Sequence, residues 1–246
     1  MKRGGIILIS SWNPRRFKPE IENPNAEREG GRETEGEEMA TFVRRDFGDG
    51  TYTVAFGDDD IHATLTDSGD VVDDWLDEIL RIHRRRLNYL VVGLDVEWRP
   101  FGRFSEPNPV SLLQICVGRR CLIFQILRAD YVPESLFDFV ADDRFTFVGV
   151  GIDNDVTKLR DQYGLEVEDA VDLRHLAADK MGKPELRSTG LQGLVSEVMD
   201  VWLEKPHHVR VSAWDAPRLS KPQLMYACVD AFASFEVGRR LYAGDY

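Results

Sequence analysis

Leu90-Val91-Val92-Gly93-Leu94-Asp95-Val96-Glu97 is the stretch whose reading decides the fold. It is mostly apolar and alternates poorly, the pattern of a strand covered on both faces. Yet it ends in two carboxylates, which a covered strand rarely carries unless something uses them. Asp95 and Glu97 are two residues apart, so on a strand they point the same way. Like charges on one face repel, and a divalent cation relieves that repulsion.

Outward from this strand the chain has the order of an α/β protein with a mixed sheet. Upstream, Thr51–Phe56 and Ile61–Leu65 form a hairpin candidate around Gly57-Asp58-Asp59-Asp60. Asp70 is placed to cap a helix over 71–84, whose apolar side uses Val72, Trp75, Leu76, Ile79 and Leu80 at helical spacing. Downstream, strands are expected over 110–117, 121–126 and 146–150, with Arg99 to Asn108, rich in Pro and Gly, looping between the 90–97 and 110–117 strands. Helices are expected over 155–163, 173–178, 190–202 and 221–241. Thr189/Gln192 and Ser220/Gln223 both have capping-box spacing, and Pro222 sits where an early-turn proline is tolerated. Residues 11–38 are rich in Pro, Gly, Glu, Asn and Arg, which reads as a flexible leader. The expected organisation is a leader over 1–45 and one domain over 46–246.

The 246 residues are 43% apolar and carry a net charge of −12, which suits a soluble protein and argues against crude attraction to nucleic acid. A nuclease is still compatible with that charge, because metal-holding carboxylates add to the count and bound cations offset the local field. Cys116, Cys121 and Cys228 lack metal-type spacing and read as reduced, buried residues. No run reaches the length of a membrane span, and Ile6–Ile9 is too short for a secretory signal, so an intracellular protein is the expectation, in nucleus or cytoplasm.

Two further segments carry acidic groups. Asp155 follows Phe147-Val148-Gly149-Val150-Gly151-Ile152, a strand, a glycine-eased turn and a helix entry. An Asp there can simply favour the positive end of its helix; Asp153 is taken as its neighbour, not a ligand. Tyr226 and Asp230 are four apart on the last helix and share a face beside its apolar stripe. Each alone can be packing or surface. Together they are four carboxylates and a tyrosine that a compact α/β fold can converge. Oxygen donors select hard cations such as Mg²⁺ or Mn²⁺. Two such ions, about 3.5–4 Å apart, suit phosphodiester hydrolysis.

At these residues the chain resembles the exonuclease domain of the Werner syndrome helicase and its stand-alone plant relatives. These belong to the DnaQ-like, ribonuclease H-like superfamily with the DEDDy pattern. The resemblance rests on Val92–Trp98, Gly149–Asp155 and Tyr226–Ala231. It is supported by Ser111-Leu112-Leu113-Gln114-Ile115, Arg120-Cys121-Leu122-Ile123-Phe124 and a Ser212-x-Trp214 stretch. It spans about 50–242 and implies a central five-stranded mixed sheet flanked by helices. It also implies a two-metal 3′–5′ exonuclease releasing nucleoside 5′-monophosphates from DNA or RNA with a free 3′ end. By that resemblance Asp95 bridges both ions, Glu97 helps hold the first and meets the terminal 3′-hydroxyl, and Asp230 holds the first. Asp155 supports the second largely through water, and Tyr226 orients the attacking water. Related modules include monomers and rings, so a homo-oligomer or a helicase partner is compatible with the resemblance. A non-catalytic nucleic-acid-binding or protein-interaction module on the same fold is the competing reading.

Two basic stretches bear on nucleic acid. Arg81, His83, Arg84, Arg85 and Arg86 read as a solvated helix face. Lys205, His207, His208, Arg210, Arg218 and Lys221 feed into the helix bearing Tyr226, and Lys205, Arg210, Arg218 and Lys221 are the candidate phosphate contacts. Trp98 and Leu113 can lie near a terminal base or fill the core, core packing being favoured for Trp98.

Overall fold

The computed structural model describes residues 37, 38, 40–99 and 109–246. Most of the expected leader, and the 100–108 part of the expected loop, lie outside these residues. The first half holds strands β1 (Glu37–Glu38), β2 (Thr41–Asp46), β3 (Thr51–Phe56) and β4 (Asp59–Thr66), then helix α1 (Gly69–His83), then strands β5 (Leu90–Trp98), β6 (Val110–Val117) and β7 (Arg120–Phe124). The second half runs α2 (Glu134–Val140), β8 (Phe145–Gly149), α3 (Ile152–Tyr163), β9 (Ala170–Asp172), α4 (Leu173–Met181), α5 (Leu191–Met199), β10 (Val201–Trp202), α6 (His207–Arg210) and α7 (Lys221–Ala243).

Eight strands form one sheet in the order β2-β3-β4-β7-β6-β5-β8-β9. The five at one end, β7-β6-β5-β8-β9, supply the expected mixed core, with β5 antiparallel to β6 and parallel to β8. The sheet is wider than five strands because β4 joins β7 in parallel and carries β3 and β2 with it. It therefore includes Thr41–Asp46, upstream of the expected domain start at 46.

Strand β5 alternates after all. Leu90, Val92, Leu94 and Val96 enter one core with α1, α2 and α3, together with Leu113, Ile115, Leu122 and Phe124. The odd-numbered residues of β5 turn to the other face, where α7 packs with α4 and α5 over Leu112, Cys116, Cys121 and Ile123. Val91 and Gly93 disguise the period, since both sides of the sheet are covered. Leu113 is fully buried on the face away from Asp95, so it fills the core. All three cysteines are buried free thiols.

Two expected caps are replaced. Helix α1 starts at Gly69, whose N–H donates to Asp130 Oδ1 at 2.8 Å, while Asp70 lies inside the first turn and accepts from the Tyr131 hydroxyl at 2.6 Å. Helix α5 is capped at Gly190, one residue late for a Thr189/Gln192 box; the Gln192 amide donates instead to the Leu203 carbonyl at 2.8 Å. Helix α5 also stops at Met199, where Asp200 turns left-handed at φ 57° and releases Val201–Trp202 to pair with β1. The Ser220/Gln223 box does form: the Ser220 N–H donates to Gln223 Oε1 at 2.9 Å and Ser220 Oγ accepts from the Gln223 N–H at 3.4 Å.

Candidate active site

Each acidic group is placed by a different device. Asp95 and Glu97 sit on the α7 face of β5, in register with Gln114 and Leu112 of β6. The entry to α3 is tight. Gly149 lies so near β5 that a Cβ there would stand 2.7 Å from the Leu94 carbonyl oxygen. Gly151 caps α3 in the left-handed region at φ 73°, a conformation open to glycine at little cost. Its N–H donates to Asp172 Oδ2 at 3.1 Å, and Asp172 is gripped in turn by the Arg174 guanidinium at 2.6 Å. That clamp fixes where α3 begins and so where Asp155 stands. Asp230 and Tyr226 are one turn apart on α7, whose start is fixed by the Ser220/Gln223 box.

These elements bring Asp95, Glu97 and Asp230 together: one carboxylate oxygen from each lies within 4.8 Å of the others. Asp155 is buried beside this trio and close enough for the Asp95 charge to act on it. Tyr226 is buried against Trp214, with ring centroids 5.8 Å apart, one helical turn from Asp230 and near enough for the two groups to act on each other. The Trp214 indole N–H donates to the Arg210 carbonyl at 3.0 Å, which ties the loop before α7 to the tyrosine.

Of the four candidate phosphate contacts, one lies elsewhere than expected. Lys205 is inside the cluster, its Nζ 2.6 Å from Asp230 Oδ2 and 5.1 Å from the Tyr226 ring centroid. Arg210, Arg218 and Lys221 are exposed, Lys221 facing Asp46 at 3.5 Å. In a run of basic residues the sequence gives no sign of which one turns inward. The sequence reading also missed Gln114. Its carboxamide is fully buried on the Asp95 side of the sheet with neither polar atom paired. Trp98 is half-buried, packs against the core on the α3 side of the sheet and lies under the Lys158 ammonium at 4.3 Å.

The electrostatics follow from burial and crowding. Burial first, then the Asp230 charge, pushes the Asp95 carboxyl up to about 7. Burial and Asp95 push Asp155 up to about 8. Glu97 is held well above the carboxylate range by burial and by Asp95 and Asp230. Burial raises Asp230 too, opposed by the Lys205 ammonium. Burial works against the Lys205 charge, but Asp230, Tyr226 and Asp95 outweigh it and raise its pKa. Carboxyls packed this closely stay ionised together only beside a cation. The donor set is all oxygen, and an ammonium already lies against Asp230, so the residues fit one or more hard divalent ions.

A 3′–5′ exonuclease of Arabidopsis thaliana is 37% identical over 162 residues, 65% of this chain and 55% of the relative. The bifunctional 3′–5′ exonuclease/ATP-dependent helicase WRN of Mus musculus is 32% identical over 152 residues, 61% of this chain and 11% of the relative. The chain thus spans about half or less of the length of these curated relatives. Among solved structures, Escherichia coli RNase D, an exoribonuclease involved in structured RNA processing, shares the fold. Its TM-score is 0.60 at 20% identity, covering 74% of this chain and 44% of that one. Residues 72–242, which carry the acidic strand, the α3 entry and the Tyr226/Asp230 helix, match the 3′–5′ exonuclease domain model, and the chain belongs to that family.

Proposed function

We propose that this protein hydrolyses phosphodiester bonds at the 3′ end of DNA or RNA with two divalent ions, Mg²⁺ or Mn²⁺, and releases nucleoside 5′-monophosphates. The observation that carries this reading is the convergence of Asp95, Glu97 and Asp230 oxygens within 4.8 Å of one another, with Asp155 adjacent. Asp95, Glu97 and Asp230 are the residues to hold one ion, and Asp95 with Asp155 the other. Bound there, the ions supply Lewis-acid charge that eases deprotonation of a water and balances charge on the phosphate and the leaving oxygen.

The remaining work belongs to the chain's own groups. The Tyr226 hydroxyl, beside Asp230, is suited to orient the attacking water. Glu97 presents a carboxylate toward a terminal 3′-hydroxyl. Exposed Arg210 and Arg218, on the segment leading into α7, are suited to the incoming phosphates and give salt-sensitive, sequence-independent affinity.

The test is product analysis on 3′-recessed DNA and single-stranded RNA with Mg²⁺ or Mn²⁺. The expected result is stepwise shortening from the 3′ end, abolished by EDTA and lowered at least about a hundredfold in Asp95→Asn. Equal activity of the two proteins would assign the cleavage to a contaminant. Nucleic-acid binding without cleavage would favour a non-catalytic module.

A further inference from the structure

A lysine lies where a cation is wanted. Lys205 lies two residues after Leu203, a buried residue whose carbonyl is held by the Gln192 amide at 2.8 Å, and precedes Pro206, which caps α6. Anchored on both sides, its side chain reaches inward: it is 20% exposed, while the Asp230 carboxylate it meets is 3% exposed. Its Nζ sits 2.6 Å from Asp230 Oδ2 and over the Tyr226 ring. The Asp230 carboxylate is also one of the three whose oxygens gather within 4.8 Å. The ammonium therefore bonds one of the groups that a divalent ion would use.

A phosphate-contacting lysine has no need to bury itself against a carboxylate, since that pairing neutralises the charge it would offer the strand. A purely structural ion pair would not need a cluster with further acidic groups beside it. We infer that Lys205 is a built-in counter-cation: it holds the acidic cluster together in the metal-free protein and gives up Asp230 when a divalent ion binds. This rests on reading the cluster as a metal cradle and deepens that reading. The ion and the ammonium compete for the same oxygens, so intrinsic metal affinity is weakened by the work of displacing Lys205. A released ammonium is then free to face the phosphate of a bound strand end.

The competition predicts an unusual sign. Lys205→Met removes the competitor while keeping an apolar stem in the same space. Manganese titrated by calorimetry into nucleic-acid-free protein should bind Lys205→Met at least about tenfold more tightly than the wild type. In EDTA the variant should melt at a lower temperature than the wild type, and saturating Mn²⁺ should narrow that gap. Equal or weaker Mn²⁺ binding by Lys205→Met, with weaker binding of a single strand, would overturn the proposal and leave Lys205 as a phosphate contact.

A measurement on the unaltered protein covers the case in which the variant does not fold. Acylation of Lys205 by a water-soluble amine reagent, followed by peptide mass spectrometry, should speed up severalfold in Mn²⁺. An unchanged or slower rate would overturn the proposal. The two readings fail separately. If the wild type and Lys205→Met both take up no Mn²⁺, the cradle itself is lost. If the wild type binds Mn²⁺ and Asp95→Asn does not, while Lys205→Met binds no better than the wild type, only the counter-cation is lost.

Discussion

Gly93 lies directly against Ala231: a Cβ built on Gly93 would stand 2.1 Å from the Ala231 carbonyl oxygen and 2.7 Å from the Phe235 amide nitrogen. Strand β5 and helix α7 thus touch backbone to backbone, two residues before Asp95 and one after Asp230. The carboxylates meet because nothing separates the two main chains that carry them. Gly93→Ala must push α7 away from the sheet. It should destabilise the protein by about 3 kcal/mol in chemical denaturation. In the protein that still folds it should lower nuclease activity more than Gly118→Ala, whose site has open space but the same left-handed strain penalty as other turn glycines.

Tyr226→Phe keeps the ring against Trp214 and removes only the hydroxyl beside Asp230. The cleavage rate should fall about ten- to a hundredfold, with melting temperature and Mn²⁺ affinity little changed. A matching loss of metal affinity would mean that the hydroxyl acts by fixing Asp230.

The metal-free protein should lose stability as pH rises. In the unfolded chain Asp95 and Asp155 titrate near 3.8, whereas folding moves them to about 7 and about 8. Between those values the folded state holds more protons than the unfolded one, so raising pH favours unfolding. The contribution is full below the unfolded value and is lost as pH climbs through the folded values. Glu97 and Asp230, also raised, act in the same sense. Asp142, Asp172 and Glu236, whose carboxyls are lowered by arginine partners, act in the opposite sense only at acid pH. In EDTA the melting temperature should therefore drop between about pH 5 and about pH 8.5, and Mn²⁺ should restore it at the alkaline end.

Arg210→Ala and Arg218→Ala should weaken binding of a single strand and reduce the slope of log affinity against log salt by about 0.7 each. Lys221→Ala should change that slope less, because Asp46 already faces its ammonium. Filter binding with a cleavage-dead Asp95→Asn protein at several salt concentrations measures all three.

Much of this arrangement was legible in the sequence where spacing alone sets direction. Asp95 and Glu97 share a face because strands have a period of two, and Tyr226 and Asp230 share one because helices repeat every three to four residues. The Ser220/Gln223 box was readable for the same reason, and its partner at Thr189/Gln192 failed because Gly190 took the cap and Leu203 offered Gln192 a better acceptor. Strand β2 was hidden: Thr41–Asp46 is mostly exposed, so burial left no pattern in it. Lys205 was read as a phosphate contact and not as the partner of Asp230, and Gln114 was not read as a site residue, because their positions depend on what distant segments present to them, Asp230 for one and the α7 side of the sheet for the other.

The chain order of the acidic groups has its own consequence. Asp95 and Glu97 are made early, Asp155 some sixty residues later, and Asp230 only with α7, so the trio closes through contacts of very long sequence separation. Such contacts form late, after the costs of loop closure have been met. A ribosome-bound chain that has built the strands but not yet α7 therefore lacks the third oxygen of the trio, and the cluster comes into being only when synthesis is nearly done.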